Sequence, residues 1–294
     1  MAEPSLSVVV AAWEDDAGLV ECLESLAAQH EDGTEVIVVS SAPCAAALKD
    51  RFAGVAWVEA ARDLSVPALW RLGMERAGKD VVALTTAHFT PAADWVPVIR
   101  RSHSRLESPA IGGPIEPPED GGVVAWATYF LRYSAYVPGA REESRQDLAG
   151  DNASYKRAAV LSAPDLLRDG FWEQEFHRRL LRAGATLTFV PQMRVRQSGS
   201  FGFRPFLLQR FQHGRRFGLT RLRDRGPWTR ALYVAASPLV PAIVLAKVTA
   251  RVVGNGKHLG RFVAALPVLA CFVVAWAAGE AAGYLGAQGP RGVA

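Results

Sequence analysis

In the first half of the chain, apolar and polar positions alternate in short blocks. Leu6–Ala12 is an unbroken apolar, β-branched run, followed by Leu19, Cys22, Leu23 and Leu26 at helical spacing within residues 16–28. The same alternation predicts strands over 35–40, 55–59 and 80–85, with helices over 45–52 and 66–77 between them. Short continuous apolar strands separated by helices specify a parallel sheet covered on both faces. Right-handed crossovers then put a ligand at the carboxyl ends of those strands.

Beyond Pro91 the pattern predicts a helix over 94–105 and a Gly/Pro-rich loop, IGGPIEPPEDGG, that separates two halves. A helix over 123–133, a loop over 136–149, a helix over 172–183 and a strand over 186–190 follow. From about residue 231 the sequence becomes far more apolar. Residues 231–250 are apolar apart from Lys247, and 262–279 are 18 residues without a charge. Each run can cross about 30 Å of hydrocarbon, and Pro238 and Pro241 should kink the first. Two buried helices of a soluble domain, or a re-entrant hairpin, are the other readings of these runs.

Charge changes the picture only by its position. The net charge is +4, but eight arginines (204, 210, 215, 216, 221, 223, 225, 230) stand against one acid, Asp224, directly before the apolar tail. Anionic lipid headgroups explain that placement better than nucleic acid does. The cysteines, Cys22, Cys44 and Cys271, have no metal-ligand spacing, which points to a reducing compartment. MAEPSLSVVVAAW has no basic leader, so a cleaved signal peptide is not expected.

Five segments in order carry a resemblance: LSVVVAAWEDDAGLVECLESLAAQ, EVIVVSSAP, GMERAGKDVVALTTAHFTPAADWV, GDNASYKRAAV and GFWEQEFHRRLLRAGATLTFVPQMRVRQ. Together they resemble the family-2 glycosyltransferases of the GT-A fold, over about residues 5–200. The resemblance implies an α/β fold with a GT-A-like, doubly wound, mostly parallel sheet. An amphipathic helix and a two-helix membrane anchor would follow. The expected division is a nucleotide-sugar transferase domain over 1–200, a basic interfacial segment over 201–230, a membrane segment over 231–286 and a short tail over 287–294.

Transfer to a hydroxyl needs a base for its proton and something to neutralise the leaving diphosphate. The resemblance puts the base at Glu173, ahead of Arg179 and Leu180, with Glu175 as the alternative. It puts donor binding at Trp13, Glu14, Ser40, Thr86 and His88, and acceptor or diphosphate binding at Asn152, Lys156, Arg157 and Arg215. Arg194, Arg196 and a protonated His88 are further candidates for the diphosphate. Glu173 and Glu175 are two residues apart on one helix, so only one can face a pocket squarely.

The chain departs from the family pattern where acids normally stand. Ser40 and Ser41 replace an Asp-Asp pair, Thr86-Ala87-His88 ends the strand that usually offers metal-binding carboxylates, and Gln197 replaces a histidine. A Mn or Mg cofactor is therefore not expected, His88 being the one candidate ligand. Two functions stay open at this point. One is a membrane-anchored inverting transferase at the inner or cytoplasmic membrane, its catalytic domain in the cytoplasm, using a nucleotide-sugar and a lipid or polyprenyl-phosphate-linked acceptor. The other is a degenerate transferase that keeps the fold as a scaffold.

Overall fold

Strand β1 (Leu6–Ala12) has every residue buried, as a strand covered on both faces must. The computed structural model describes residues 3–12, 18–29, 31–62, 64–119, 121–139, 141–198, 202–222 and 226–286. After β1 come α1 (Gly18–Ala27), β2 (Thr34–Ser40), α2 (Ala46–Arg51), β3 (Val55–Glu59), α3 (Val66–Arg76) and β4 (Val81–Thr86). Next are β5 (Phe89–Pro91), α4 (Trp95–Arg105), β6 (Ala110–Gly112), β7 (Ile115–Glu116), α5 (Val123–Tyr133) and β8 (Glu143–Arg145). Then follow β9 (Ala153–Lys156), α6 (Arg157–Leu161), α7 (Glu173–Arg182), β10 (Leu187–Phe189) and β11 (Val195–Gln197). The helices α8 (Phe203–Arg221), α9 (Pro227–Ala236), α10 (Val240–Asn255) and α11 (Leu259–Gly286) complete the order.

The main sheet runs β3-β2-β1-β4-β9-β6-β10-β8, and a smaller one runs β5-β11-β7. Strands β3, β2, β1 and β4 are parallel, with Ala12 opposite Ser40 and Ala11 opposite Thr86. The carboxyl ends of β1, β2 and β4 thus lie side by side along one edge. Strand β9 is antiparallel to both β4 and β6. The short edge strand β8, inside the segment expected to be a loop, pairs antiparallel with β10. Its sequence, Glu-Ser-Arg, has no alternation to betray it.

The contacts divide the chain into two units. One comprises Met1–Pro118 with Tyr136–Gly199, the other Glu119–Ala135 with Ser200–Ala294. The segment Glu119–Ala135, expected inside the transferase domain, therefore groups with the C-terminal helices. In the first unit Val9, Ala11, Ile37, Val39, Leu69, Trp70, Val82 and Leu84 join one core with Tyr155, Phe171 and Phe176. Helix α3 packs closely on the sheet: a Cβ on Gly73 would lie 2.2 Å from Val9 Cγ1.

In the second unit α11 is the central strut. Phe130 of α5 meets Phe262 edge-on at 5.1 Å, and Phe206 of α8 meets Phe272 at 4.7 Å. Helix α8 was expected to lie on headgroups as an interfacial helix. It is docked along α11, through Gly214 and Gly218 on one side and Gly279 and Gly283 on the other. The stretch Pro227–Asn255 and helix α11 are long and apolar enough to cross a membrane. A 3-10 turn at Ser237–Leu239, around Pro238, separates α9 from α10.

Candidate active site

Glu173 begins α7, where the unpaired amides of the first turn favour a carboxylate. Phe176, His177 and Leu180 of this helix are buried, Glu173 is half-buried and Glu175 is exposed. The helix periodicity therefore chooses between the two expected bases, since Glu173 shares a face with His177 one turn on. Gly150 marks the spot. A Cβ there would lie 3.1 Å from the Glu173 carboxyl carbon and 3.0 Å from the Trp70 ring. Trp70 in turn donates its indole N–H to the carbonyl of Thr85, at 2.9 Å. The strand end TTAH and Glu173 are thus joined through Trp70 and the bare backbone of residue 150.

The residues at the strand ends are largely occupied by the fold. The Ser40 hydroxyl donates to the Ala42 carbonyl at 2.7 Å and accepts the Ala42 amide at 3.2 Å. Thr86 is buried, its hydroxyl facing the His88 amide at 3.4 Å, and Ala87 is 0% exposed with its amide on the Ala11 carbonyl. The His88 carbonyl accepts the Ser198 amide at 2.8 Å, beside buried Gln197. A hydroxyl, a methyl group and one imidazole are a poor set for a hard divalent cation. Among the described residues no group of three His, Cys, Asp or Glu could hold a metal. Among the described residues, those at this strand end do not fit one. Trp13 and Glu14 lie outside the described residues.

The expected acceptor and diphosphate residues are mostly placed elsewhere. Asn152 is 0% exposed: Trp95 Nε1 donates to its Oδ1 at 2.8 Å, and its Nδ2 donates to Pro114 O at 2.9 Å and Met193 O at 2.7 Å. Its amide is spent on holding the start of α4 and the loops at Pro114 and Met193 together, so it serves the scaffold. Lys156 and Arg157 are corrected by register. Strand β9 runs antiparallel to β4, so Lys156 lies opposite Val81, at the far end of β4 from Thr86. Five residues at about 3.3 Å each separate the two levels by roughly 16 Å. There the Lys156 ammonium caps the Leu106 and Glu107 carbonyls, and Arg157 Nε donates to Ala77 O. Arg194 pairs with Glu116 at 3.5 Å, and Arg196 with Glu21 at 3.0 Å. Arg215 is exposed on α8, in the second unit.

The structure adds a cluster that the sequence did not reveal. His177 Nδ1 meets Asp147 Oδ1 at 2.6 Å, and His177 Nε2 meets the Tyr155 hydroxyl at 3.0 Å. Tyr136 donates its hydroxyl to Asp147 Oδ2 at 3.3 Å. Burial, then Glu173 and Asp147, pushes the Tyr155 phenol well up; burial, then Asp147 and Glu173, does the same to Tyr136. Both phenols stay protonated donors beside two carboxylates. The i, i+4 spacing of Glu173 and His177 was the one available signal. Asp147 sits in a segment without periodicity.

Comparison with known proteins agrees with this architecture. The family described as Glycosyl transferase family 2 matches residues 7–161. Among solved structures, the mannosyltransferase PcManGT from Pyrobaculum calidifontis, in complex with GDP-Man and Mn2+, superposes with a TM-score of 0.57 at 17% identity. The match covers 95% of this chain and 88% of that one. GalNAc-T7, solved with UDP, GalNAc and Mn2+, gives a TM-score of 0.52 at 16% identity, over 68% of this chain and 44% of its own. At such identities these two establish the fold alone. No curated protein matches the sequence. With the family matched over more than half of the chain, and β1, β2 and β4 aligned at one edge of a GT-A-like sheet, the protein belongs to glycosyl transferase family 2 and is a glycosyltransferase.

Proposed function

We propose that the protein is a membrane-anchored inverting glycosyltransferase. It moves a sugar from a nucleotide-sugar to a lipid or polyprenyl-phosphate-linked acceptor at the cytoplasmic face of the inner or cytoplasmic membrane. The position of Glu173 carries this reading: a carboxylate at a helix N-terminus, against Gly150 and the Trp70 ring that is tied to the end of β4. A single carboxylate that takes the acceptor proton suits direct displacement at the anomeric carbon, which inverts its configuration. The anchor rests on the two apolar stretches, and the cytoplasmic orientation on the arginine-rich segment before them. We assign the donor to the edge formed by β1, β2 and β4.

The test is equilibrium binding of UDP-, GDP- and dTDP-sugars to the detergent-purified protein, with manganese and then with EDTA, for wild type and Glu173→Gln. Donor binding should be equal in both proteins, while turnover in the variant falls roughly 10²–10⁴-fold. Undiminished turnover in the variant would remove Glu173 from the mechanism. No nucleotide binding under any condition would favour the scaffold reading, for which the buried Thr86 and Ala87 speak.

A further inference from the structure

The Asp147 carboxylate is held by a buried frame yet faces outward. Its Oδ1 accepts from His177 at 2.6 Å and from the Leu148 amide at 3.0 Å, and its Oδ2 accepts from Tyr136 at 3.3 Å. The His177 side chain is 1% exposed, whereas that of Asp147 is 36% exposed. An imidazole bonded at both nitrogens is fixed in orientation, so it fixes the carboxylate in turn. An ionised carboxylate has about four acceptor positions. Three are taken here, which leaves capacity for one more donor from the exposed side. Glu173 lies one turn before His177 on the same face of α7, with its carboxyl carbon against Gly150, three residues after Asp147.

The surroundings select the chemistry of what binds. The groups facing this cluster are the carboxylates Asp147 and Glu173, the phenols Tyr136 and Tyr155, and Arg145. Arg145 pairs with Glu143 at 2.8 Å and stacks over the Phe189 ring at 3.9 Å. Lys156 follows Tyr155 in β9, but its side chain leaves from the other face of the strand and its ammonium is held by the Leu106 and Glu107 carbonyls, while Arg157 Nε donates to Ala77 O. Two carboxylates repel an incoming phosphate and attract hydroxyl donors.

We propose that Asp147, positioned by His177 and Tyr136, is an acceptor-binding residue beside Glu173, and that it holds a glycosyl unit of the acceptor by accepting a hydrogen bond from a hydroxyl next to the reacting one. The nucleophile is then a neutral sugar hydroxyl, not a phosphate oxygen. This rests on Glu173 as the base. The acceptor O–H gives its proton to the Glu173 carboxylate as the new O–C1 bond forms. The C1–O bond to the diphosphate breaks, and its electron pair leaves on the diphosphate oxygen. A phosphate oxygen, already ionised, would have no proton for Glu173 to take.

The experiment uses full-length protein labelled with 15N-histidine in a detergent without a sugar headgroup; His177→Gln assigns the ring signal. Methyl glucoside, methyl mannoside and inorganic phosphate are titrated separately into wild type, Asp147→Asn and Glu173→Gln. A glycoside should shift the His177 ring nitrogens in wild type and in Glu173→Gln. The shift should vanish in the near-isosteric Asp147→Asn, and phosphate should leave the ring unmoved. A shift with phosphate, silence with every glycoside, or a glycoside shift that survives Asp147→Asn would each overturn the proposal. Turnover retained by Glu173→Gln, with the glycoside shift intact, would sink the base assignment alone.

Discussion

His103 shows how a single buried side chain sets a pH limit on this protein. Its Nε2 meets the Ser154 hydroxyl at 2.9 Å, and burial, then the charge of Lys156, pushes the imidazole down to about 3. In the unfolded chain a histidine titrates near 6.5. Between those values the unfolded state binds a proton that the folded state refuses. Stability is therefore unaffected above about 6.5 and is lost as pH falls, by about 1.4 kcal/mol per pH unit. Urea unfolding at pH 6.5 and 5.0 should show wild type losing about 1.6 kcal/mol more than His103→Gln over that interval. Equal losses would mean that the folded protein admits the proton. Glu173 and Glu175 make the same point about position. The sequence offers two acids, and only the burial of Phe176, His177 and Leu180 says which one turns inward.

Among the elements, α8 and α11 meet through glycine. A Cβ on Gly218 would lie 2.4 Å from the Glu280 carbonyl oxygen, and one on Gly279 would lie 2.0 Å from that of Phe211. Such backbone approach is the small-residue packing by which membrane helices associate. It also buries the Glu280 carboxylate, to which the exposed Arg221 donates from Nη1 to Oε1 at 3.2 Å and the Tyr284 hydroxyl bonds at the same oxygen. Gly218→Leu should force the two helices apart and lower the melting temperature in detergent, at a cost of about 1–3 kcal/mol. Gly254→Ala on α10 is the control, because its Cβ would meet nothing within 4 Å. That change should be neutral or stabilising by up to about 1 kcal/mol. Equal effects of the two substitutions would refute the seam. The arginines of α8 suggested a helix resting on headgroups, and the glycines that dock it could be recognised only once α11 was in place.

At the scale of the whole molecule, chain order and packing order differ. Residue 200 looks like the natural end of the transferase domain, yet α5 packs on α11: its Trp126 ring lies 5.0 Å from His258, with Arg261 nearby at 5.8 Å. A chain cut after residue 199 would leave the apolar face of α5, with Trp126, Tyr129 and Phe130, without that partner. Light scattering should find the truncated chain aggregated, and polar substitution at Trp126 and Phe130 should reduce the aggregation. A monodisperse truncated protein would show that α5 can cover its face another way.

The sequence by itself determined the first four strands and the helices between them. Short continuous apolar runs, and apolar positions at a spacing of 3.6, specify β1 to β4 and the helices between them, because local patterning decides how much of each segment must be buried. It also determined the family, the apolar tail and Glu173 as a candidate base. Tertiary structure decided what depends on register and on distant partners. The antiparallel run of β9 carries Lys156 and Arg157 away from the strand ends, although Asn152 stands only four residues before Lys156, at the other end of the same segment. Asp147 and His177, thirty residues apart, become one unit only when α7 folds against the segment before Gly150. A hydrophobic pattern records burial along the chain and carries no information about which strand end or loop a polar side chain will meet across it.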